Sequence, residues 1–234
     1  MIEFQMRVLH LDAKQNPPLA RTSKTPGTSL RQCRFAFGIW IVLVASIAVA
    51  APPSPKSKIA DSDNGPQDRK GATEWGWNIG GATGIPGGSN KRSFWTLNLH
   101  WGRVLTAAWG HGPLRGTLEY TVEIVPVFMT RESNNVFGGG ITPVLLQYNF
   151  DYSRRFVPFI QAGAGTLLTT QRVPEDTSRF NFTPQGGVGI YWFRWPRSAL
   201  ELGVRYHHMS NGGLTGRNPG HNGLYFYTGV SWWR

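Results

Sequence analysis

The sequence is poor in the features that cross-link or charge a soluble domain. Its 234 residues include one cysteine, Cys33, so no intrachain disulfide can form and no cysteine-based metal centre is available. Charged residues make up only 16%, and acidic ones are scarcest: 13 Asp and Glu stand against 24 Lys and Arg, a formal net charge of +11. A membrane-crossing helix needs about 20 apolar residues. The apolar run at residues 35–50 (FAFGIWIVLVASIAVA) has sixteen, which falls short. What is abundant is glycine, with 29 residues, and aromatic side chains, with 10 Trp, 7 Tyr and 13 Phe. Glycine is costly inside helices, and aromatic residues favour strands. An all-β protein is expected.

The short apolar run has a different use. Basic Arg31 and Arg34 precede it, and it ends in Ala48-Val49-Ala50, the small-residue pattern of a signal-peptidase site. Residues 1–50 are therefore read as an N-terminal extension and signal peptide with cleavage near Ala50. Cleavage removes Cys33 and leaves 18 Lys and Arg against 11 Asp and Glu, a net +7. On an exported chain that charge suits anionic lipid or lipopolysaccharide phosphates, and no motif for nucleic acid accompanies it. Residues 51–71, rich in Pro, Lys, Asp and Ser, are expected to form a flexible linker.

From residue 72 to 234 the chain alternates with period two in eight segments separated by Gly, Pro, Asn or Ser clusters. The first spans Thr73–Gly80, the second Arg92–Trp109 and the third Leu114–Thr130. In the third, Leu118, Tyr120, Val122, Ile124 and Phe128 share one face, opposite Thr117, Glu119, Thr121 and Glu123. The seventh sets Leu200, Leu202, Val204 and Tyr206 against Glu201, Gly203, Arg205 and His207; the eighth sets Leu224, Phe226, Val230 and Trp232 against Tyr225, Tyr227, Gly229 and Ser231. A soluble lipocalin-like barrel or sandwich would turn the apolar parity inward. A small outer-membrane barrel turns it to lipid and fills a narrow lumen with the polar parity. The even strand count, the aromatic segment ends and the pairable Glu74, Glu119, Glu123, Glu201 and Arg205 favour an eight-stranded antiparallel transmembrane barrel. Arg103 falls on the lipid parity, which calls for an interfacial position or a bulge near Gly102.

Three polar residues then stand on the wrong face. Continuing the apolar parity of the seventh segment reaches His208 and Ser210; extending that of the eighth backwards reaches Asn222. A hairpin through residues 211–221 brings them together. A Ser and a His two apart on a strand project to one side, as a base-activated nucleophile requires, and a Ser facing lipid implies a lipid substrate. The bland alternative is a set of interfacial polar residues at a strand end.

The stretch Arg205-Tyr206, His208-Met209-Ser210-Asn211-Gly212 and Asn218-Pro219-Gly220 before the final strand resembles the lipid A 3-O-deacylase (PagL) family, also labelled acyloxyacyl hydrolase. The resemblance is sharp over residues 205–234. It implies hydrolysis of the ester-linked acyl chain at the 3-position of lipid A in the outer membrane, with Ser210 as nucleophile and His208 as general base. Asn211 matches a residue near the oxyanion hole, and the Gly212 or Gly213 amide is a second candidate donor. Arg217, in the same loop, is a candidate partner for a lipid A phosphate. Where relatives carry a Glu twelve residues after the Ser, this chain has Asn222. It can accept a hydrogen bond from His208 and fix its tautomer, but it lends no charge to an imidazolium. The expectation is that Asn222 orients His208, the alternatives being a different acid or weak activity. Glu201 points to the lumen and is set aside.

His207 and His100 are read as lumenal structural residues, and His221 as a loop residue that could assist. The glycine runs 138–140 and 186–189 do not open helices and are not nucleotide loops. No cofactor and no metal site is expected. The competing function is a non-enzymatic outer-membrane barrel used for adhesion or membrane integrity.

Overall fold

In a computed structural model the described residues are 65–85, 92–175 and 177–234. The signal segment and residues 51–64 of the expected linker lie outside them. Eight strands, β1 (Thr73–Gly84), β2 (Phe94–Val104), β3 (Gly116–Arg131), β4 (Asn135–Phe150), β5 (Phe156–Thr169), β6 (Phe180–Trp195), β7 (Ser198–Met209) and β8 (His221–Trp233), pair antiparallel with their sequence neighbours. β8 returns to β1, closing the barrel from Glu74 opposite Trp233 to Gly84 opposite Gly223. Closure leaves no sheet edge, the condition for strands to stand in lipid.

The two faces follow the sequence parity. Leu99, Ile124, Ile160, Val188, Leu202 and Phe226 point outward, each about half exposed, while Glu74, Glu119, Glu123, Glu201 and Arg205 are buried in the lumen. Aromatic residues gather toward both ends of the outer face: Trp75, Trp101, Trp109, Phe156 and Trp192 near the end where β1 begins, and Trp95, Phe137, Phe180 and Phe182 at the far end. Arg103 is outward and exposed, one residue from the end of β2, and the β2–β3 register runs unbroken through Gly102. The interfacial position is thus the one adopted.

The lumen is a polar layer between two apolar caps. At the far end Phe94, Phe128, Val136, Leu167, Met209 and Tyr225 pack together; at the other, Val157, Phe159, Tyr191, Phe193, Ala199 and Trp233 do. Between them the Arg205 guanidinium donates to both Glu123 oxygens at 3.0 and 2.9 Å and lies 4.4 Å over the Tyr227 ring. His100 Nε2 lies 3.3 Å from Glu74, which also accepts from the Tyr191 hydroxyl at 3.0 Å. Inward glycines make room for these rings: a Cβ on Gly80 or Gly203 would stand 2.3 Å from the Tyr225 or Tyr227 hydroxyl.

Two expectations are corrected. Phe128, placed on the lipid face by parity, is buried in the far-end cap. Register shifts in both neighbours of β3 locate a bulge at Val125-Pro126, where proline has no N–H to give the ladder. The extra residue turns Val127 and Met129 outward and Phe128 and Thr130 inward. The second strand is also shorter than the alternation over Arg92–Trp109 predicts. β2 ends at Val104, and Trp109 makes only an isolated bridge to Gly116.

Residues 65–71, the part of the expected linker that is described, form a 3-10 turn at Pro66–Asp68 with Gln67 and Asp68 buried. Thr117 Oγ1 donates to the Gln67 carbonyl at 3.0 Å, fastening the turn beneath β3.

Candidate active site at the far end of the last hairpin

His208 and Asn222 stand directly opposite each other in the β7–β8 ladder. The ring and amide meet on the outer face: His208 Nδ1 lies 2.5 Å from Asn222 Oδ1. An amide oxygen only accepts, so in this arrangement Nδ1 carries the proton and Nε2 presents a lone pair. That is the tautomer a general base needs. The Tyr206 hydroxyl donates to the same Asn222 oxygen at 2.8 Å. Tyr206 pairs with Leu224, two residues from Asn222, so its reach is diagonal across the hairpin. Sequence reasoning took Tyr206 for one more lipid-facing aromatic; its shared parity with His208 was the available signal.

Ser210 lies two residues past His208, beyond the β7–β8 ladder. It is held instead by β6: the Phe182 N–H donates to the Ser210 carbonyl at 2.7 Å, and the Ser210 N–H to the Phe182 carbonyl at 3.1 Å. This bridge gives the nucleophile candidate a fixed backbone at the mouth of a loop.

The loop, residues 211–220, is organised by Asn211. Its side chain is buried; Nδ2 donates to Thr215 Oγ1 at 2.6 Å and to the Arg217 carbonyl at 2.9 Å, and Oδ1 accepts the Gly213 N–H at 2.8 Å. Both amide hydrogens of Asn211 and the Gly213 N–H are therefore committed to the loop. Among the described residues, the Gly212 N–H is the expected oxyanion donor outside those bonds. Gly212, Gly213 and Gly220 have positive φ (63°, 80° and 64°), and a Cβ on Gly220 would stand 3.1 Å from His208 Cε1. The tight return thus lets the loop close over the imidazole edge.

Other candidates separate from the site. His221 is the first residue of β8 and is buried on the lumen parity, 6.1 Å from the Phe94 ring, so it does not share the face of Asn222. His207 also points inward, 5.0 Å from Phe94. Arg217 is exposed in the loop. No group of three metal-ligating side chains occurs among the described residues.

A closed eight-stranded barrel with an apolar outer face, a packed polar lumen and aromatic ends is of the outer-membrane class. The family model described as lipid A 3-O-deacylase (PagL) matches residues 77–231, and the chain belongs to that family. Among solved structures it is similar to the outer membrane enzyme PagL, at 19% identity and a TM-score of 0.51, covering 67% of this chain and 97% of that one. Outer membrane protein OprG from Pseudomonas aeruginosa is matched at 11% identity and a TM-score of 0.48, covering 73% and 99%. Ail of Yersinia pestis is matched at 10% and 0.44, covering 71% and 100%. No curated protein sequence matches it.

Proposed function

We propose that this chain is an outer-membrane esterase that removes the 3-O-linked acyl chain of lipid A, with Ser210 as nucleophile and His208 as general base. The observation that carries the reading is the His208–Asn222 bond on the lipid-facing parity, beside a serine anchored by β6. A polar cluster turned to lipid costs free energy that the barrel architecture does not require, and with Asn222 Oδ1 toward the ring, His208 Nε2 is left as the acceptor. Membership of the deacylase family agrees with it.

The Ser210 hydroxyl attacks the ester carbonyl while His208 Nε2 takes its proton. The Gly212 N–H faces the developing oxyanion, and Asn211 holds the loop that positions that amide. Collapse expels the sugar 3-oxygen, which His208 protonates, leaving an acyl-serine. Water, deprotonated by His208, then releases the fatty acid and restores Ser210. Asn222 keeps the imidazole in register throughout, and Arg217 meets a lipid A phosphate from the loop. The far end carries the long connections after β1, β5 and β7, as the cell-surface end of such a barrel does, so on this reading the site opens sideways into the outer leaflet.

Mass spectrometry of lipid A from cells lacking the protein, carrying it, and carrying Ser210→Ala tests this. The expected outcome is loss of one ester-linked 3-hydroxyacyl chain with the intact protein alone. Identical lipid A in all three would leave the non-enzymatic barrel, the reading that the uncharged Asn222 favours.

A further inference from the structure

We infer that Tyr206 is a positioning residue: its hydroxyl fixes the sense of the Asn222 amide and so the tautomer of His208. The inference rests on the esterase reading above. A carboxylate presents equivalent oxygens to a histidine, whichever way it is turned. An amide does not. With Oδ1 toward the ring, Nδ1 is protonated and Nε2 can accept the serine proton; rotated by 180°, Nδ2 would donate to Nδ1 and the proton would sit on Nε2, where it blocks the base. A site that orients its histidine with asparagine therefore needs a further group to choose between the two.

Tyr206 supplies it. Its hydroxyl and His208 Nδ1 converge on one atom, Asn222 Oδ1, at 2.8 and 2.5 Å. A phenol is a strong donor and a weak acceptor, so it favours an oxygen at that point over an NH2. The hydroxyl and the ring nitrogen approach that atom together, so an amide turned the other way would lose both bonds at once, and the preference of the phenol sets its sense. The tyrosine is reached by strand geometry alone: position 206 shares the outer parity with His208 and lies diagonal to Asn222. Its ring stays on the lipid-facing surface, so removal of the hydroxyl leaves the packing in place.

The test uses the full chain folded in detergent micelles, with 15N-labelled histidine and His208 assigned by difference from His208→Gln. In Ser210→Ala, which holds the site without turnover, the His208 ring should be protonated on Nδ1. In Ser210→Ala/Tyr206→Phe a substantial Nε2-protonated population should appear. On lipid A in mixed micelles, Tyr206→Phe should lower kcat about five- to tenfold, the worth of one net hydrogen bond, with KM within about twofold. In an Asn222→Asp background, where the sense of the group no longer matters, the same substitution should change kcat by less than about twofold. An unchanged Nδ1 tautomer without the hydroxyl, or an equal loss in the Asp background, overturns the inference. Persistent hydrolysis by Ser210→Ala overturns the esterase reading instead, and the ring-nitrogen measurement still decides the role of Tyr206.

Discussion

The barrel carries polar side chains on both of its surfaces, and the two sets are held in different ways. In the lumen, Glu123, Arg205, Gln185, Tyr227 and Gln161 form part of a network in which strands far apart in sequence hold one another. Every member lies on the polar parity of its strand, where a narrow barrel must place something, and burial makes each partner depend on the others. On the outer face His208 and Asn222 interrupt an apolar parity, meet Tyr206 at the Asn222 oxygen within a single hairpin, and remain accessible from the surrounding phase. The lumen set is explained by architecture. The outer set is unexplained by it, and that difference is why the proposed chemistry is placed on the outside of the barrel.

The sharpest way to break this contrast is to cut the lumen network. Arg205→Met leaves Glu123 buried without its cation, which costs about 3–5 kcal/mol. Urea unfolding of the barrel in lipid vesicles should register that loss, while the fraction that remains folded keeps its deacylation rate. A folded Arg205→Met protein with normal stability and no activity would move the function into the lumen.

Next in size is the outer set itself. Asn222→Ala should lower deacylation about 10- to 100-fold, as the imidazole loses the partner that holds its tautomer. The residue is exposed, so the urea midpoint should stay where it is. A lowered midpoint with unchanged rate would make Asn222 a structural residue. Gly220→Ala joins both sides of the comparison: a side chain at φ 64° costs about 1–2 kcal/mol, and its Cβ presses on the His208 ring. A rate loss larger than the loss of stability is expected, read from kcat and the unfolding midpoint of one preparation.

The same contrast governs what could be read from the chain. Lumen and lipid faces were legible because a strand has only two sides, and His208 and Asn222 followed from extending that alternation through a hairpin. Phe128 was lost because Pro126 inserts a bulge, after which parity counts from the wrong residue. His221 was lost by assigning it to the loop; counting back from Tyr225 places it inward. Tyr206 was hidden for another reason. A tyrosine on a lipid face is unremarked in sequence, and only the β7–β8 register shows that its hydroxyl reaches Asn222. The turned-in side chain of Asn211 depends on the backbone at Gly212 and Gly213, which no periodicity encodes.

The smallest expected effect lies at the opposite end from the site and separates the scaffold's electrostatics from the chemistry. Asp68, in the turn fastened beneath β3, has its carboxyl pushed up from 3.8 to about 6, chiefly by burial and next by the charge of Asp151. The folded chain therefore binds this proton more tightly than the unfolded chain does. Stability tied to Asp68 is fully present below about pH 4 and declines as pH rises through about 6, above which the ionised group is a constant penalty. Asp68→Asn removes the penalty, so the variant should be more stable than the parent at pH 7.5, by on the order of 1 kcal/mol after solvent screening, and equal to it at pH 4. Deacylation at pH 7.5 should not change, because the turn lies a full barrel length from His208 and contacts β3. A change in rate without a change in stability would show that the end where β1 begins communicates with the last hairpin, and the separation of scaffold from site would fail there.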